Sequence, residues 1–402
     1  MSGRLGVMLI SVTDPWSVWS MSGITRLMCA ELQRRGLLEG AIGVNGGCGR
    51  ALRHPPPSWK RLLHKLDARR RRGRARQRWE HESEGRIGAA LRRCPSGTAV
   101  VYCFVTPECD DELDVQRFRL LDLSLFDAVR HGAFGYAGLR DDQVAKRAEG
   151  QRAALATAEG VVTASTYAAD SISRDFGYPR EKITPIGFGP AVEVAPLGAW
   201  SDERYCSQRI LFVGRDWERK NGPLLLDAFR DVRRSFPRAT LVVGGPPSLP
   251  TDEPGVEFHP PIDKGTRAGR RKLAALYASS SLFCMPSECE PWGLVYVEAQ
   301  QHEAPVVGFH RWALPDIVED GVTGLLTRDY TANGLAEILR TALSDPHRLA
   351  IMGRAATERV RRVLDWPHVV DRLLYRVLPD ALEGREPVWM QPEQIPSSAI
   401  HQ

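Results

Sequence analysis

Continuous apolar runs of strand length recur along both halves of the chain. They lie at residues 5–12, 99–105, 160–165, 209–214, 240–245, 281–286 and 305–308, and a further strand is predicted at 256–261. Uninterrupted runs of this kind are typical of strands that are buried on both faces of a parallel sheet. The pattern therefore predicts an α/β architecture built on parallel sheets.

Segments with apolar residues at helical spacing follow several of these runs. They predict helices at residues 23–36, 166–176, 223–230, 267–276 and 364–378. Gly36 stands where the first helix is expected to end, as glycine commonly does at a helix C-terminus. The order of strand, loop and helix at the start of the chain is typical of the first unit of a Rossmann-like domain.

The length of the chain bears on the number of domains. At 402 residues the chain exceeds the size of about 250–300 residues at which one hydrophobic core usually stops growing, so two domains are predicted. Residues 190–207 are rich in Ala, Pro and Gly, lack periodicity and form the predicted linker. A hydrophobic content of 43% and a charged content of 26% are typical of a globular protein and exclude disorder on a large scale.

The cysteines and the apolar stretches indicate the cellular compartment of the protein. Eight cysteines are scattered along the chain, with neither C-x-x-C pairs nor the spacing of a zinc site, and we expect reduced thiols in a cytoplasmic protein. The apolar run 5–12 is too short for a secretory signal peptide. No apolar stretch approaches the roughly 18–20 residues that a membrane-spanning helix needs.

A dense basic segment stands out against the modest net charge of +5. Ten lysines and arginines lie between Lys60 and Arg78, and Trp59, Leu62 and Leu66 fall at helical spacing at its start. An amphipathic basic helix of this kind can lie on an anionic membrane surface or bind a polyanionic acceptor. The alternative is a solvated helix or a mobile loop. Nucleic acid is not an expected partner, because no recognised nucleic-acid module surrounds the segment.

Two glutamates, with seven residues between them, stand where an apolar run gives way to a predicted helix. Glu290 is followed at once by Pro291 and Gly293, which are typical of a chain entering a helix. The first turn of a helix leaves N–H groups unpaired, which suits an anionic or hydroxyl-rich ligand. Glu298 lies a little over two helical turns further on, at about 1.5 Å per residue. The two carboxylates can therefore reach different parts of one elongated ligand.

This stretch carries a resemblance to a known family. The pattern Pro-Ser-x-x-Glu-Pro-x-Gly-Leu-x-x-x-Glu-Ala at 286–299, followed by Ala-Pro-Val-Val-Gly at 304–308, resembles the E-x7-E signature of the retaining nucleotide-sugar glycosyltransferases of the GT-B type, glycosyltransferase family 4 above all. The segment Val-Gly-Arg-x-x-x-x-Lys-x-Gly at 213–222 resembles the diphosphate-binding element of the same family. Residues 317–326 and the segment that begins at 364 also match the family in order and spacing.

The resemblance implies a GT-B fold, in which two Rossmann-like domains face a central cleft. An acceptor domain is expected at residues 1–190 and a nucleotide-sugar donor domain at 191–365. Residues 366–402 would then form a helix that crosses back onto the amino-terminal domain and, after Arg385, a mobile tail.

The same resemblance implies roles for residues of the E-x7-E stretch. Glu298 would bind the ribose hydroxyls of the donor, and Glu290 would bind the hydroxyls of its sugar close to the reacting face. The backbone N–H groups of Trp292, Gly293 and Leu294 would hold the sugar or its phosphate at the helix start.

Further donor contacts are implied for the preceding elements. Arg215 and Lys220, around the tight turn at Gly214, would neutralise the leaving diphosphate; the alternative is a surface cluster of salt bridges with Asp216 and Glu218. Pro261 belongs to the loop 259–264, where the family holds the nucleotide base.

The amino-terminal half matches the family more loosely. Only Gly23 remains of the usual glycine pair in the first loop, and the alternative there is a simple helix cap formed by Ser22. Trp16 and Trp19 in that loop offer platforms for a sugar or an apolar acceptor, or are core residues at a domain edge.

Two further residues are candidates for the cleft. In related transferases an Asp or a His late in the amino-terminal domain faces the sugar's anomeric carbon. Asp122 and His131 are therefore catalytic candidates, and the alternative for the histidine is a structural role.

The predicted reaction is a metal-independent, retaining transfer of a sugar from a nucleoside-diphosphate sugar to a hydroxyl acceptor, without a cofactor. One alternative is a GT-B enzyme of another reaction, such as a nucleotide-sugar epimerase or a phosphorylase. Another is a non-catalytic protein that binds a membrane or a polyanion through the basic segment.

Overall fold

The computed structural model describes residues 6–18, 20–44, 85–105, 113–133, 136, 138–192, 202–249 and 252–390. Within them the chain forms two parallel sheets of six strands each. The predictions for Trp19, for the basic segment 60–78, for two of the cysteines, for residues 193–201 of the linker and for the chain beyond 390 lie outside the described residues.

The amino-terminal sheet has the strand order β2-β1-β3-β4-β5-β6, and every neighbouring pair is parallel. Its strands are β1 Val7–Ser11, β2 Leu38–Gly43, β3 Ala99–Cys103, β4 Gln116–Leu121, β5 Gly160–Thr163 and β6 Ile183–Pro185. Every residue of β1, β3 and β5 is buried, as the uninterrupted apolar runs predict.

The carboxy-terminal sheet has the strand order β12-β11-β10-β7-β8-β9 and is also parallel throughout. Its strands are β7 Arg209–Val213, β8 Thr240–Gly244, β9 Val256–His259, β10 Leu282–Cys284, β11 Val306–Phe309 and β12 Gly324–Thr327. Two doubly wound sheets in one chain confirm the predicted GT-B architecture of two Rossmann-like domains.

Helices connect the strands and cover both sheets. They are α1 Ile24–Arg34, α2 at 85–91, α3 Leu125–Arg130, α4 Asp141–Ala156, α5 Thr166–Phe176, α6 Gly222–Ser235, α7 Arg267–Ala278, α8 Leu294–Gln301, α9 Leu314–Ile317, α10 Ala332–Leu343, α11 Pro346–Arg359 and α12 Trp366–Val377. Local signals fix several of the ends. Ser165 caps α5 by accepting a hydrogen bond from the N–H of Ala168, and Gly177 ends that helix in the left-handed conformation.

Strand β4 was not predicted, because polar residues interrupt its apolar pattern. Arg119, in its middle, is nevertheless buried: its guanidinium lies 4.2 Å from the centre of the Tyr102 ring, and its Nε donates to the carbonyl of Ala154. Cation–π contact and hydrogen bonds thus compensate the burial of a charge that a sequence pattern assigns to the surface.

The last helix crosses back onto the amino-terminal domain, as the resemblance implies. Arg35, at the end of α1, donates to Asp371 of α12 at 2.6 Å and to the carbonyl of Pro367 at 2.8 Å. Arg376 of α12 donates to the hydroxyl of Thr184 in β6. The amino-terminal domain is therefore completed by residues from the far end of the chain.

The expected mobile tail does not begin at Arg385. Residues 386–390 pack on α12 instead: the Trp389 ring meets the Tyr375 ring edge-on, and Met390 is buried. The carbonyl of Val388 accepts a hydrogen bond from the fully buried Arg372. Proline and polar residues in this stretch suggested mobility, yet its backbone serves as an acceptor for a buried cation.

Two further predictions concern the cysteines and the presence of membrane-spanning helices. Each of the six cysteines in the described residues is a free thiol. Among the described helices, none combines the length and the apolar character needed to cross a membrane.

Candidate active site

Two loops at the carboxyl ends of β7 and β10 form the centre of the candidate site. Ligands of open α/β sheets bind at this edge. The N–H of Glu288 donates to the carbonyl of Arg219 at 3.1 Å, and the guanidinium of Arg219 donates back to the carbonyl of Cys289 at 2.9 Å. The loop 214–221 and the loop 285–293, called the donor loop below, are therefore fixed to each other.

Lys220 and Glu290 meet where these loops touch. Their side chains form an ion pair, and each residue is less than a tenth exposed. Burial and the neighbouring charge of Arg219 lower the pKa of Lys220, whereas the paired carboxylate of Glu290 favours its charged form. The structure thus brings together two predicted site residues that are 70 positions apart in sequence.

The turn after β7 is as tight as predicted. The N–H of Gly214 donates to the carbonyl of Gly244, and Gly245 has a φ of +107°. A Cβ atom at Gly245 would lie 3.0 Å from the Gly214 carbonyl oxygen, so both glycines allow two strand ends to approach closely.

Arg215 and Arg219 differ in their placement. Arg215 is exposed, whereas Arg219 is partly buried and lies 3.3 Å from the carboxylate of Asp216. Asp216 therefore pairs with Arg219, and Lys220 pairs with Glu290, so the alternative of a salt-bridge cluster with Asp216 and Glu218 is wrong for Lys220. Sequence reasoning missed Arg219, although it directly precedes Lys220 in the matched segment.

Helix α8 begins with unpaired donors at the donor loop. Gly293 precedes it with a φ of +84°, and a Cβ atom there would lie 2.6 Å from the Tyr296 ring. Within the described residues, none of the N–H groups of Trp292, Gly293 and Leu294 donates to another protein group. The helix start is therefore open to a ligand's oxygen atoms.

The side chain of Trp292 points away from this role. Its indole N–H donates to the carbonyl of Phe188 at 2.9 Å, and the residue is only 3% exposed. Gly187 leaves the room for it, because a Cβ atom there would lie 2.9 Å from the indole ring. Trp292 thus fastens the start of α8 to the segment that follows β6.

Glu298 is completely buried in α8 and fully hydrogen-bonded. Lys264 donates to its two carboxylate oxygens at 3.0 and 3.2 Å, and the hydroxyl of Tyr277 donates at 3.0 Å. The Lys264 side chain is 32% exposed, so it connects the buried carboxylate with the surface. Lys264 was expected only as part of the loop predicted to hold the base, and Tyr277 was not predicted, because no motif spacing marks it.

The loop that is predicted to hold the nucleotide base follows β9. Pro261 is exposed there, and His259 shares a hydrogen bond of 2.8 Å with Glu257. Pro261 and the carboxylate of Glu298 are linked through the same loop, since Lys264 lies three residues beyond the proline.

The amino-terminal candidates are more dispersed. Asp122 directly follows β4, and burial raises the pKa of its carboxyl to about 7. Gly23 precedes α1 with a φ of +88°, and no side chain caps that helix, which excludes the alternative of a Ser22 cap. Trp16 is partly buried and packs against the core.

His131 lies at the contact between the domains. Its ring centre is 4.6 Å from that of Trp312, which follows β11 in the other domain. Burial and the charge of Arg130 lower the pKa of this histidine. Sequence reasoning missed Trp312, which has a φ of +58°.

Arg311 completes a small cleft beside Glu290. Its guanidinium donates to the carbonyl of Ser287 at 3.1 Å and lies over the rings of Phe309 and Tyr330. The cleft is lined by residues of the donor loop and of the β11–α9 connection: Met285, Ser287, Glu290, Phe309, Arg311 and Trp312. Arg219, Lys220 and Arg311 thus surround the donor loop with positive charge.

The chemistry of this arrangement is that of an anion site with two carboxylates. In the described part of the chain, no group of three or more His, Cys, Asp and Glu side chains is arranged to hold a metal ion.

Comparison with protein families places these loops in a known context. Residues 206–359 match the family of glycosyl transferases group 1. The D-inositol 3-phosphate glycosyltransferase of Gordonia bronchialis is 31% identical over 229 residues, which cover 52% of this chain and 48% of that protein. The protein of the same name from Rhodococcus jostii is 28% identical over 251 residues, which cover 57% and 54%. The chain spans about half the length of the curated relatives it matches.

Solved structures of low sequence identity share the whole fold. Sucrose-phosphate synthase from Thermosynechococcus elongatus has a TM-score of 0.64 at 20% identity, with 94% of this chain and 100% of that chain covered. HepE from Anabaena, solved with UDP and glucose, has a TM-score of 0.62 at 15% identity, with 95% and 100% covered. WaaG, a glycosyltransferase involved in lipopolysaccharide biosynthesis, has a TM-score of 0.58 at 14% identity, with 92% and 99% covered.

Proposed function

We propose that this chain, in which residues 206–359 form a domain of the group 1 glycosyl transferases, transfers a sugar from a nucleoside-diphosphate sugar to a hydroxyl acceptor. The transfer retains the anomeric configuration and needs no metal ion. The observation that carries the proposal is the contact of Lys220 with Glu290 beside the open N–H groups at the start of α8. A cation, a carboxylate and a helix N-terminus meet there within reach of one ligand.

Different residues of the site would bind different parts of the donor. The carboxylate of Glu298 suits the two neighbouring hydroxyls of a ribose, because each of its two oxygens can accept one hydrogen bond, as both do from Lys264. Lys264, which occupies these oxygens, would move aside or bridge to the ribose. Glu290 would bind hydroxyls of the sugar, and its ion pair with Lys220 would open to admit the donor.

Fixed positive charge supports a reaction without a metal ion. Lys220 and Arg219, with Arg215 at the rim, would neutralise the charge that grows on the leaving diphosphate. The N–H groups of Gly293 and Leu294 would add hydrogen bonds to the same phosphate or to the sugar.

A front-face displacement accounts for retention. The bond between the anomeric carbon and the diphosphate oxygen breaks, and the acceptor oxygen bonds to the same face of that carbon. The acceptor's proton passes to the departing phosphate oxygen, so no protein base is required. Asp122 and His131 remain candidates for contacts on the acceptor side of the cleft.

The donor can be identified by a thermal-shift screen of UDP-, GDP- and ADP-sugars. We expect one nucleotide class to stabilise the protein, because a ligand at a hundred times its dissociation constant adds about 2.7 kcal/mol to the free energy of unfolding. UDP-glucose comes first, since structural neighbours were solved with UDP and with UDP-glucose. Glucose alone serves as the control. A screen in which no nucleotide sugar shifts the melting temperature would contradict the proposal.

The product then tests the reaction. D-inositol 3-phosphate is the first acceptor to try, since it appears in the names of the sequence relatives. NMR of the product's anomeric proton is expected to show the configuration of the donor, and an inverted linkage would contradict retention. An epimerised donor or a free sugar phosphate as product would favour the alternative of an epimerase or a phosphorylase.

Metal independence predicts that chelation leaves turnover unchanged. EDTA treatment followed by desalting is the measurement, with added magnesium and manganese as the comparison. A loss of turnover that either ion restores would overturn the proposed role of the arginines and Lys220. Binding of the basic segment to an anionic membrane stays a prediction.

A further inference from the structure

Trp312 has a backbone conformation that its side chain does not favour. It stands between β11 and α9 with a φ of +58°, in the left-handed region that glycine adopts readily and most other residues avoid. Such a conformation persists only where the surrounding contacts determine it. The contacts of the ring must therefore hold the backbone in this conformation.

The indole ring is wedged between two side chains of the amino-terminal domain. Its centre lies 4.6 Å from that of His131 at an interplanar angle of 88°, and 4.5 Å from that of Tyr167 at 68°. Both pairs have the edge-to-face geometry that aromatic rings prefer. The indole N–H is buried and has no acceptor among the described residues, so packing alone holds the ring.

A hydrogen bond secures the same interface four residues further on. The carboxylate of Asp316 accepts from the N–H of Thr166 at 2.6 Å, at the first turn of α5, and is 2% exposed. A carboxylate at a helix N-terminus is stabilised by the unpaired N–H groups and the helix dipole. Trp312 and Asp316 thus join the β11–α9 connection to the amino-terminal domain at two points.

The donor loop is attached to this interface. Arg311, next to Trp312, donates to the carbonyl of Ser287, three residues before Glu290. Cys289 is itself buried in a cluster with Leu123 and Ala168 of the amino-terminal domain. A displacement of Trp312 would therefore be transmitted to Glu290 through two contacts of the donor loop, the one at Ser287 and the one at Cys289.

We infer that Trp312 is a positioning residue, which holds the two domains closed and thereby sets Glu290 of the donor loop against the acceptor side of the cleft. The expected change in kcat/KM rests on the proposed function. The expected change in the closure of the domains does not depend on any activity.

The test replaces Trp312 by glycine and, separately, by phenylalanine. Glycine adopts a φ of +58° without strain, so the Trp312→Gly variant removes the wedge while relieving the backbone. The Trp312→Phe variant keeps a ring for the contacts with His131 and Tyr167. Trp389→Leu is the matched control, because it removes an indole that packs on Tyr375, away from this interface.

Three measurements follow on the purified full chain. Small-angle X-ray scattering is expected to give a larger radius of gyration for Trp312→Gly than for the wild-type protein or for Trp312→Phe. The kcat/KM for the acceptor is expected to fall roughly tenfold in Trp312→Gly and to recover in Trp312→Phe, as is usual for couplings carried through packed contacts. The affinity for UDP, measured by calorimetry, is expected to stay unchanged.

The outcomes separate this inference from the proposed function. An unchanged radius of gyration together with unchanged kcat/KM in Trp312→Gly would overturn the positioning role, and so would an equal loss in Trp389→Leu. If the unchanged protein transferred no sugar, the proposed function would fail, and scattering alone would then decide whether Trp312 holds the domains closed.

Discussion

Replacing Lys220 by methionine is expected to lower kcat by roughly a hundredfold or more, because it removes a fixed charge from the leaving diphosphate. The ammonium group is buried, and only Glu290 offers it a carboxylate contact in the described part of the chain. Its loss matters most in the transition state, where the negative charge on the phosphate is greatest. Single-turnover measurements with the identified donor separate this step from product release.

Folding must be controlled in this experiment. The Lys220→Met change leaves Glu290 buried without its cation, which costs about 3–5 kcal/mol when a buried pair is broken. The double variant Lys220→Met/Glu290→Gln avoids an unpaired charge and reports whether the protein stays folded. Lys272→Met, at an exposed lysine of α7, is the matched control. Near-normal turnover in a folded Lys220→Met protein would show that the leaving-group role is wrong.

The second large effect is expected at Glu298. The isosteric change Glu298→Gln should weaken donor binding by roughly 10- to 150-fold, since hydrogen bonds to a charged group contribute about 1.5–3 kcal/mol. We expect kcat to change little, because the ribose lies far from the reacting atoms and binds equally in the ground state and the transition state. Calorimetric titration with UDP gives the dissociation constant directly.

Glu337→Gln is the control for Glu298, since Glu337 is exposed on α10. Tyr277→Phe adds a finer comparison, because it removes one hydrogen bond to the Glu298 carboxylate and keeps the charge. An unchanged dissociation constant in Glu298→Gln would contradict the ribose assignment. A fall in kcat alone would indicate that this carboxylate acts on the reacting atoms instead.

The local structure around Glu290 and Glu298 was largely predictable because its signals are local. A buried strand, a turn that requires glycine and a helix start follow one another within a single stretch of sequence, from 281 to 299. The spacing of Glu290 and Glu298 follows from the rise of a helix. The order of the parallel strands then brings the loops after β7 and β10 to one edge of the sheet.

The partners of these residues were not predictable in the same way. Tyr277, Arg311 and Trp312 act through contacts with segments that are distant in sequence, and each has a side chain that is common in cores and on surfaces. Strand β4 was missed for a related reason, since Arg119 is buried only because Tyr102 and a backbone carbonyl from α4 receive it. Such arrangements depend on tertiary structure, which no local pattern encodes.

Trp292 links the start of helix α8 mechanically to the segment that follows β6. Its backbone lies just before helix α8, while its indole N–H is fastened to the carbonyl of Phe188 in that segment. Any displacement of that segment would therefore be transmitted to the N–H groups at the start of α8. If these groups bind the sugar as proposed, the choice of sugar would depend on the stiffness of a segment that lies outside the donor loop.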